Sequence, residues 1–214
     1  MDARFYKDIN NFAVNTHWLH GFMKYYAGYG IVLFAILLLA AWWQARSTGN
    51  PPKAVAAAVW AAIGAGVAYG VGQIISQAVA RPRPFTVFTH AEVLVHKAND
   101  FGFPSDHAIV AGAVTAGLFL VNRRLAIVSL ILALLIAFAR VYVGVHYPGD
   151  VVVGLLVGAA VSLILAPIGR VPLVWLATKL DRGPFHPLIS SSAPLRPSLE
   201  SSSASTRTRA EPNV

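Results

Sequence analysis

After Asp150 the chain runs for 19 residues, VVVGLLVGAAVSLILAPIG, without a single charge. Such a stretch is long enough to cross most of the ~30 Å hydrocarbon core of a bilayer as a helix. A helix is the form to expect, because it pairs its own backbone N–H and C=O groups where no water is present. The texture recurs along the sequence, at about 28–45, 54–79, 106–121, 124–143 and 150–168. Charged residues make up 12% of the 214, against about 25% in a soluble domain. The expected fold is all-α: an integral membrane helical bundle of about five transmembrane helices. Ahead of it, residues 4–25 mix Phe5, Phe12, Trp18 and Phe22 with Lys7, Asp8, Asn10 and Asn11. That pattern predicts an N-terminal interfacial amphipathic helix, too polar to span.

Loop charges suggest an orientation. Arg46 and Lys53, Arg123 and Arg124, and Arg170, Lys179 and Arg182 fall on one side of a five-span chain. The bias of Lys and Arg towards the inner face makes that side cytoplasmic. The N-terminus and the 80–105 and 143–149 loops then lie outside. Arg81, Arg83, Lys97 and Arg140 run against the bias there, as expected if function holds them. The start, MDARFYKDINNFAVN, lacks a basic region leading into an apolar one, so the first span is expected to direct insertion itself. The membrane domain is expected over 1–186 and a Ser- and Pro-rich, disordered cytoplasmic tail over 187–214. There are no cysteines, which excludes disulfides and thiolate metal sites. The net charge of +8 is split among short loops and the tail, a poor match to nucleic acid.

Three polar stretches share the outer side: ARPRPF (80–85), FPSDHA (103–108) and ARVYVGVHYPGD (139–150). Ionisable groups near membrane depth are costly and point to function. Pro104-Ser105 is a helix start, whose free N–H groups and dipole suit an anion, with His107 in the first turn as a proton donor. Asp150 lies four residues after His146, a spacing that lets it accept the imidazole N–H and free the other nitrogen for attack. Arg81 and Arg83 sit in a proline-broken loop, and a guanidinium fork matches phosphate oxygens. Each stretch alone has a plain alternative in helix capping or snorkelling. Together they supply the parts of a phosphoryl transfer: charge clamps, a nucleophile, its orienting acid and a leaving-group acid. No acidic cluster of the kind that binds Mg²⁺ accompanies them, so neither a metal nor a cofactor is expected.

These stretches resemble the three-part signature of the type 2 phosphatidic acid phosphatase (PAP2) superfamily. They appear here as Arg83-Pro84, Pro104-Ser105-Asp106-His107 and Arg140-x5-His146-x3-Asp150. The resemblance implies that His146 is the nucleophile, that Asp150 orients it and that His107 protonates the leaving oxygen. It also implies that Arg83, Arg140 and Ser105 hold the phosphate, and Asp106 and Arg81 join them in the substrate-binding set. The sequence departs from the family pattern at three places. The first-motif lysine would fall at Ser76, with Gln73 and Gln77 the nearest polar residues, and Arg81 or Lys97 as replacements. The third-motif serine is Ala139, and Asp106 stands where glycine is usual. The PSDH form and RPRPF are similar to the BcrC-type undecaprenyl-diphosphatase branch. That branch implies removal of one phosphate from the C55 isoprenoid diphosphate at the outer leaflet, and with it bacitracin resistance.

The expected partners are therefore a lipid-linked phosphate or diphosphate and the membrane. A phosphatase for phosphatidic acid, phosphatidylglycerophosphate or another prenyl phosphate is the alternative within enzymes. The same motifs hold vanadate in haloperoxidases, which are soluble. A lipid transporter or scramblase is the alternative outside enzymes, and its sites belong near the bilayer midplane. Here the ionisable residues gather at one interface. His90, His96, Asn99 and Asp100 read as a solvated loop.

Overall fold

The 20-residue helix over Arg123–Tyr142 opens on Asn122, whose side chain accepts from the Arg124 and Leu125 amides. It closes one residue before the loop that carries His146. This is helix α7 of a computed structural model that describes residues 1–191. Nine helices and no strand occur among the described residues. They are α1 (Asp2–Val14), α2 (His17–Tyr29), α3 (Ile31–Ala45), α4 (Pro51–Val79), α5 (Pro84–Val87), α6 (Asp106–Phe119), α7, α8 (Pro148–Asp181) and α9 (His186–Ile189).

The helix α6 is the axis of the bundle, packed against α8, α4 and α7, with α4 also against α8. Its 14 residues reach only about 21 Å. It tolerates that length because neighbouring helices, not lipid, surround it: every residue from Ala108 to Leu118 except Val110 is buried. Close approach is built from small residues. A Cβ on Gly112 would strike the Leu155 backbone, and one on Gly158 would strike the Ile109 carbonyl. We expect Gly158→Val to force α6 and α8 apart, costing about 1–3 kcal/mol or more. A lowered melting temperature in detergent would show it; an unchanged one would contradict this packing. Polar ties cross the same interfaces: Thr115 and Ser129 hydroxyls meet at 2.7 Å, and the Trp60 indole donates to the Ser162 carbonyl at 2.9 Å. Outward, Ile74, Ile131, Leu156 and Ile164 are exposed, an apolar belt that suits lipid.

The chain is thus an all-α, multi-pass membrane bundle, and its spans differ in detail from those expected. By length and composition, α4, α7 and α8 each reach across a membrane, and α2 with α3 makes a fourth candidate bent by 54°. The expected span at 28–45 is therefore the second limb of a broken pair, with the bend at Gly30. The expected interfacial helix over 4–25 divides into α1 and α2 at Asn15–Thr16, where the Thr16 amide bonds the Ala13 carbonyl instead of Phe12's and the Thr16 hydroxyl meets that of Tyr142. The last span continues well past 168 to Asp181, through Pro167 and Pro172. Residues 187–191, assigned to the tail from composition, include most of α9 and pack inwards: Ile189 is buried and the Ser191 amide donates to the Arg46 carbonyl. The remainder of the expected tail, 192–214, lies outside the described residues.

Candidate active site

Five segments meet at one end of the bundle: the N-termini of α1, α6 and α8, the C-terminus of α7 and the connection between α4 and α6. The turn from α7 into α8 is made possible by Gly144. Its φ of +86° suits glycine, and a Cβ there would strike the Glu92 carbonyl. Beyond it, Pro148 opens α8, and Asp150 reaches back so that its Oδ2 accepts from the Tyr147 amide at 2.8 Å. His146 lies between these two fixed points, 2% exposed.

His146 is held at both ring nitrogens. Its Nδ1 is 2.8 Å from the Gly102 carbonyl, which can only accept, so Nδ1 carries the proton. Its Nε2 then has the lone pair and accepts from Arg83 Nη1 at 3.2 Å and Arg140 Nη2 at 3.3 Å. Burial, and then the charges of Arg140 and Arg83, hold the imidazole well below its ordinary pKa and therefore neutral at physiological pH. Asp150 Oδ2 is 3.8 Å from Nδ1. The near acceptor of the ring proton is thus the Gly102 carbonyl, not the carboxylate expected from the His-x3-Asp spacing. Asp150 instead caps α8 through Oδ2 and binds Arg81 through Oδ1 at 2.7 Å.

The two arginines are themselves anchored. Arg83 donates from Nε to Asp100 at 2.7 Å and from Nη1 to the Val145 carbonyl at 3.1 Å. Arg140 donates to the Ala27 carbonyl at 3.2 Å, and its buried Nε has no partner. Ser105 is the N-cap of α6, fully buried, with an unpartnered Oγ, while its amide donates to the Asp150 carbonyl at 3.0 Å. Buried donors with no protein partner beside a helix N-terminus suit an oxyanion. A cleft of about 380 Å³ opens here, its wall including Gln73, Ser76, Arg83, Asp100, Asp106 and His146.

The remaining expected residues are placed differently. His107 hydrogen-bonds the Gly28 backbone and lies within electrostatic reach of Arg140, His146 and Arg83. Asp106 is on the cleft wall, but its Oδ1 accepts from the Gln73 amide at 2.8 Å. A carboxylate offers a phosphate no donor, so its evident work is to fix Gln73. Arg81 is not on that wall. Its guanidinium is taken by Asp150 and Asp2 and lies 4.1 Å above the Tyr147 ring, so it does not stand in for the missing lysine. Lys97 sits over the Phe85 ring. The position of that lysine is instead a neutral face of α4, formed by Gln73, Ser76 and Gln77. Gly102 and Asp2 had no signal in the sequence, and Asp100, read there as part of a solvated loop, instead pairs with Arg83. A backbone carbonyl has no sequence signature, and the two aspartates are far from their arginines along the chain.

A membrane-embedded helical bundle with a buried neutral histidine between two arginines is a fold and site made for an oxyanion. A model of the PAP2 superfamily matches residues 56–170, and the chain belongs to that superfamily. It is 30% identical over 164 residues to the undecaprenyl-diphosphatase BcrC of Bacillus subtilis (strain 168), covering 77% of this chain and 82% of that one. It is 28% identical over 166 residues to the bacitracin transport permease protein BcrC of Bacillus licheniformis, covering 78% and 72%. The crystal structure of a transmembrane PAP2 type phosphatidylglycerolphosphate phosphatase from Bacillus subtilis shares the fold, with a TM-score of 0.56 at 21% identity over 77% of this chain and 84% of that one.

Proposed function

We propose that this protein is a lipid diphosphatase that converts undecaprenyl diphosphate to undecaprenyl phosphate at the outer membrane face, returning the carrier for cell-wall synthesis. Lipid phosphate hydrolysis is the activity that membership of the superfamily supports. The choice of substrate draws on the likeness to the Bacillus subtilis undecaprenyl-diphosphatase over most of both chains. The observation that carries the chemistry is the state of His146: neutral, with its proton committed to Gly102 and its lone pair facing two arginines.

The reaction proceeds in two displacements. Nε2 of His146 donates its lone pair to phosphorus, and the phosphorus–oxygen bond to the leaving group breaks. His107 takes up a proton from solvent on its second ring nitrogen, the one not bonded to Gly28, as the anionic substrate enters, and gives that proton to the departing oxygen. Arg83 and Arg140 move their N–H groups from Nε2 to the phosphoryl oxygens, joined by the Ser105 hydroxyl and the amides at the start of α6. Water then attacks phosphorus, passing a proton to His107, and the phosphorus–nitrogen bond breaks with its electron pair returning to Nε2. No metal takes part. The active site faces outwards, away from the end bearing Arg46, Lys53, Arg123 and Arg124, and the C-terminal tail lies in the cytoplasm.

The test is phosphate release by detergent-purified protein offered undecaprenyl diphosphate beside phosphatidic acid. Preference for the diphosphate supports the proposal. Preference for phosphatidic acid keeps the chemistry and moves the substrate to phospholipids. EDTA is expected to leave the rate intact; loss that Mg²⁺ restores would contradict the metal-free route. His107→Ala is expected to cost about 10²–10⁴-fold, and less with a good leaving group such as a nitrophenolate, which needs no proton. Equal losses on both substrates would remove His107 as the acid. A transporter reading is disfavoured by depth, since the ionisable cluster sits at one end of the helices and not at mid-span.

A further inference from the structure

Nothing in the sequence singles out Asp2, yet the fold carries it into the back of the site. Its Oδ2 accepts from Arg81 Nη2 at 2.6 Å and its Oδ1 accepts from the Gly149 amide, at the start of α8, at 2.8 Å. Arg81 turns its other terminal nitrogen to Asp150 Oδ1 at 2.7 Å. The side chain of Asp150 is 0% exposed, whereas Arg81 and Asp2 are 30% and 31% exposed. Charges therefore alternate inwards from the surface: Asp2, Arg81, Asp150, and then the His146 ring 3.8 Å away. Docking of α1 is secured independently, by Tyr6 donating to the Gly144 carbonyl and by Asn10 pairing with the Glu92 backbone.

The arrangement matters when His146 is phosphorylated. Once Nε2 bonds to phosphorus, a ring that keeps its Nδ1 proton becomes cationic. An Arg81–Asp150 pair alone is neutral and offers that cation little. Two carboxylates sharing one guanidinium leave one net negative charge on the Asp2–Arg81–Asp150 chain, whose inner carboxylate lies 3.8 Å from the ring. We propose that Asp2 is a positioning residue for the reaction: by sharing Arg81 with Asp150, it keeps a net negative charge behind His146 that stabilises the phosphorylated ring. The inference rests on the phosphohistidine reading above. Asp2 acts through Arg81 and Asp150 and touches no reacting atom.

The experiment compares Asp2→Asn, Asp2→Glu, Asp2→Gln and Asn10→Ala in full-length, detergent-purified protein. It reads kcat and KM on undecaprenyl diphosphate, melting temperature, and base-stable phosphate on the chain after rapid quenching. Asn keeps an oxygen for the Gly149 amide, so the cap survives while the charge is lost. Asp2→Asn is expected to lower kcat about tenfold with KM changed less than about twofold. Asp2→Glu should recover to within about threefold of wild type and Asp2→Gln should not, a comparison at one side-chain length. Asn10→Ala, which loosens α1 without altering charge, should leave kcat within about threefold. Wild-type kcat in Asp2→Asn, or an equal loss in Asn10→Ala, would overturn the inference while leaving labelled His146 intact. A wild type that turns over with no label on His146 would overturn the phosphohistidine reading and this inference with it.

Discussion

His146→Ala is expected to bring phosphate release to background, a loss of about 10⁴-fold or more, with the fold retained. The magnitude follows from the role. Removing a covalent nucleophile leaves only the binding and charge stabilisation of the remaining site, which in such enzymes sustains a small residue of the rate. Retention of the fold is expected because the ring makes one bond to a neutral carbonyl, Gly102, and otherwise faces two arginines that it does not neutralise. Its removal leaves a small cavity and relieves no charge imbalance. Melting temperature and phosphate release measured on the same preparation separate the two effects. Full activity in this variant would remove His146 from the chemistry.

The second large effect is expected at Arg83. Arg83 is 5% exposed, and its guanidinium serves three partners at once: Asp100, the Val145 carbonyl and His146 Nε2. Arg83→Lys keeps one charge but has no fork with which to hold Asp100 and still reach a phosphoryl oxygen. A loss of about 10²–10³-fold in kcat is expected, the scale found when one donor to a developing oxyanion is removed. Asp100 is more than half exposed, so water can solvate it and the fold survives the change. Lysine restoring the wild-type rate would mean that Arg83 acts as a charge alone and that the bidentate geometry is unimportant.

Much of the fold was legible because lipid leaves few choices: apolar runs marked the helices, and the loops carried the polar residues. The misreadings have local causes. Helices α1 and α2 read as one segment because the break at Thr16 carries no Pro or Gly, and its tie to Tyr142 spans 126 residues of the chain. At the site, Arg83, Arg140, Ser105 and His146 were visible as residue types at a spacing and converge in the structure. The spacing was a weaker guide to partners. It pairs His146 with Asp150, where the fold supplies the Gly102 carbonyl, and it groups Arg81 with Arg83, although Arg81 is taken by Asp2 and Asp150 and only Arg83 reaches His146. Asp2 was illegible, since its partners are 79 and 147 residues along the chain.

The account stands or falls on whether phosphate becomes bonded to His146. The direct measurement is rapid quenching of turnover on undecaprenyl diphosphate labelled in the terminal phosphate, followed by mapping of the label on the chain. The account predicts base-stable, acid-labile phosphate on the peptide containing His146, formed at the rate of turnover and absent in His146→Ala. Turnover with no chain-bound label, or label on another residue, would contradict it.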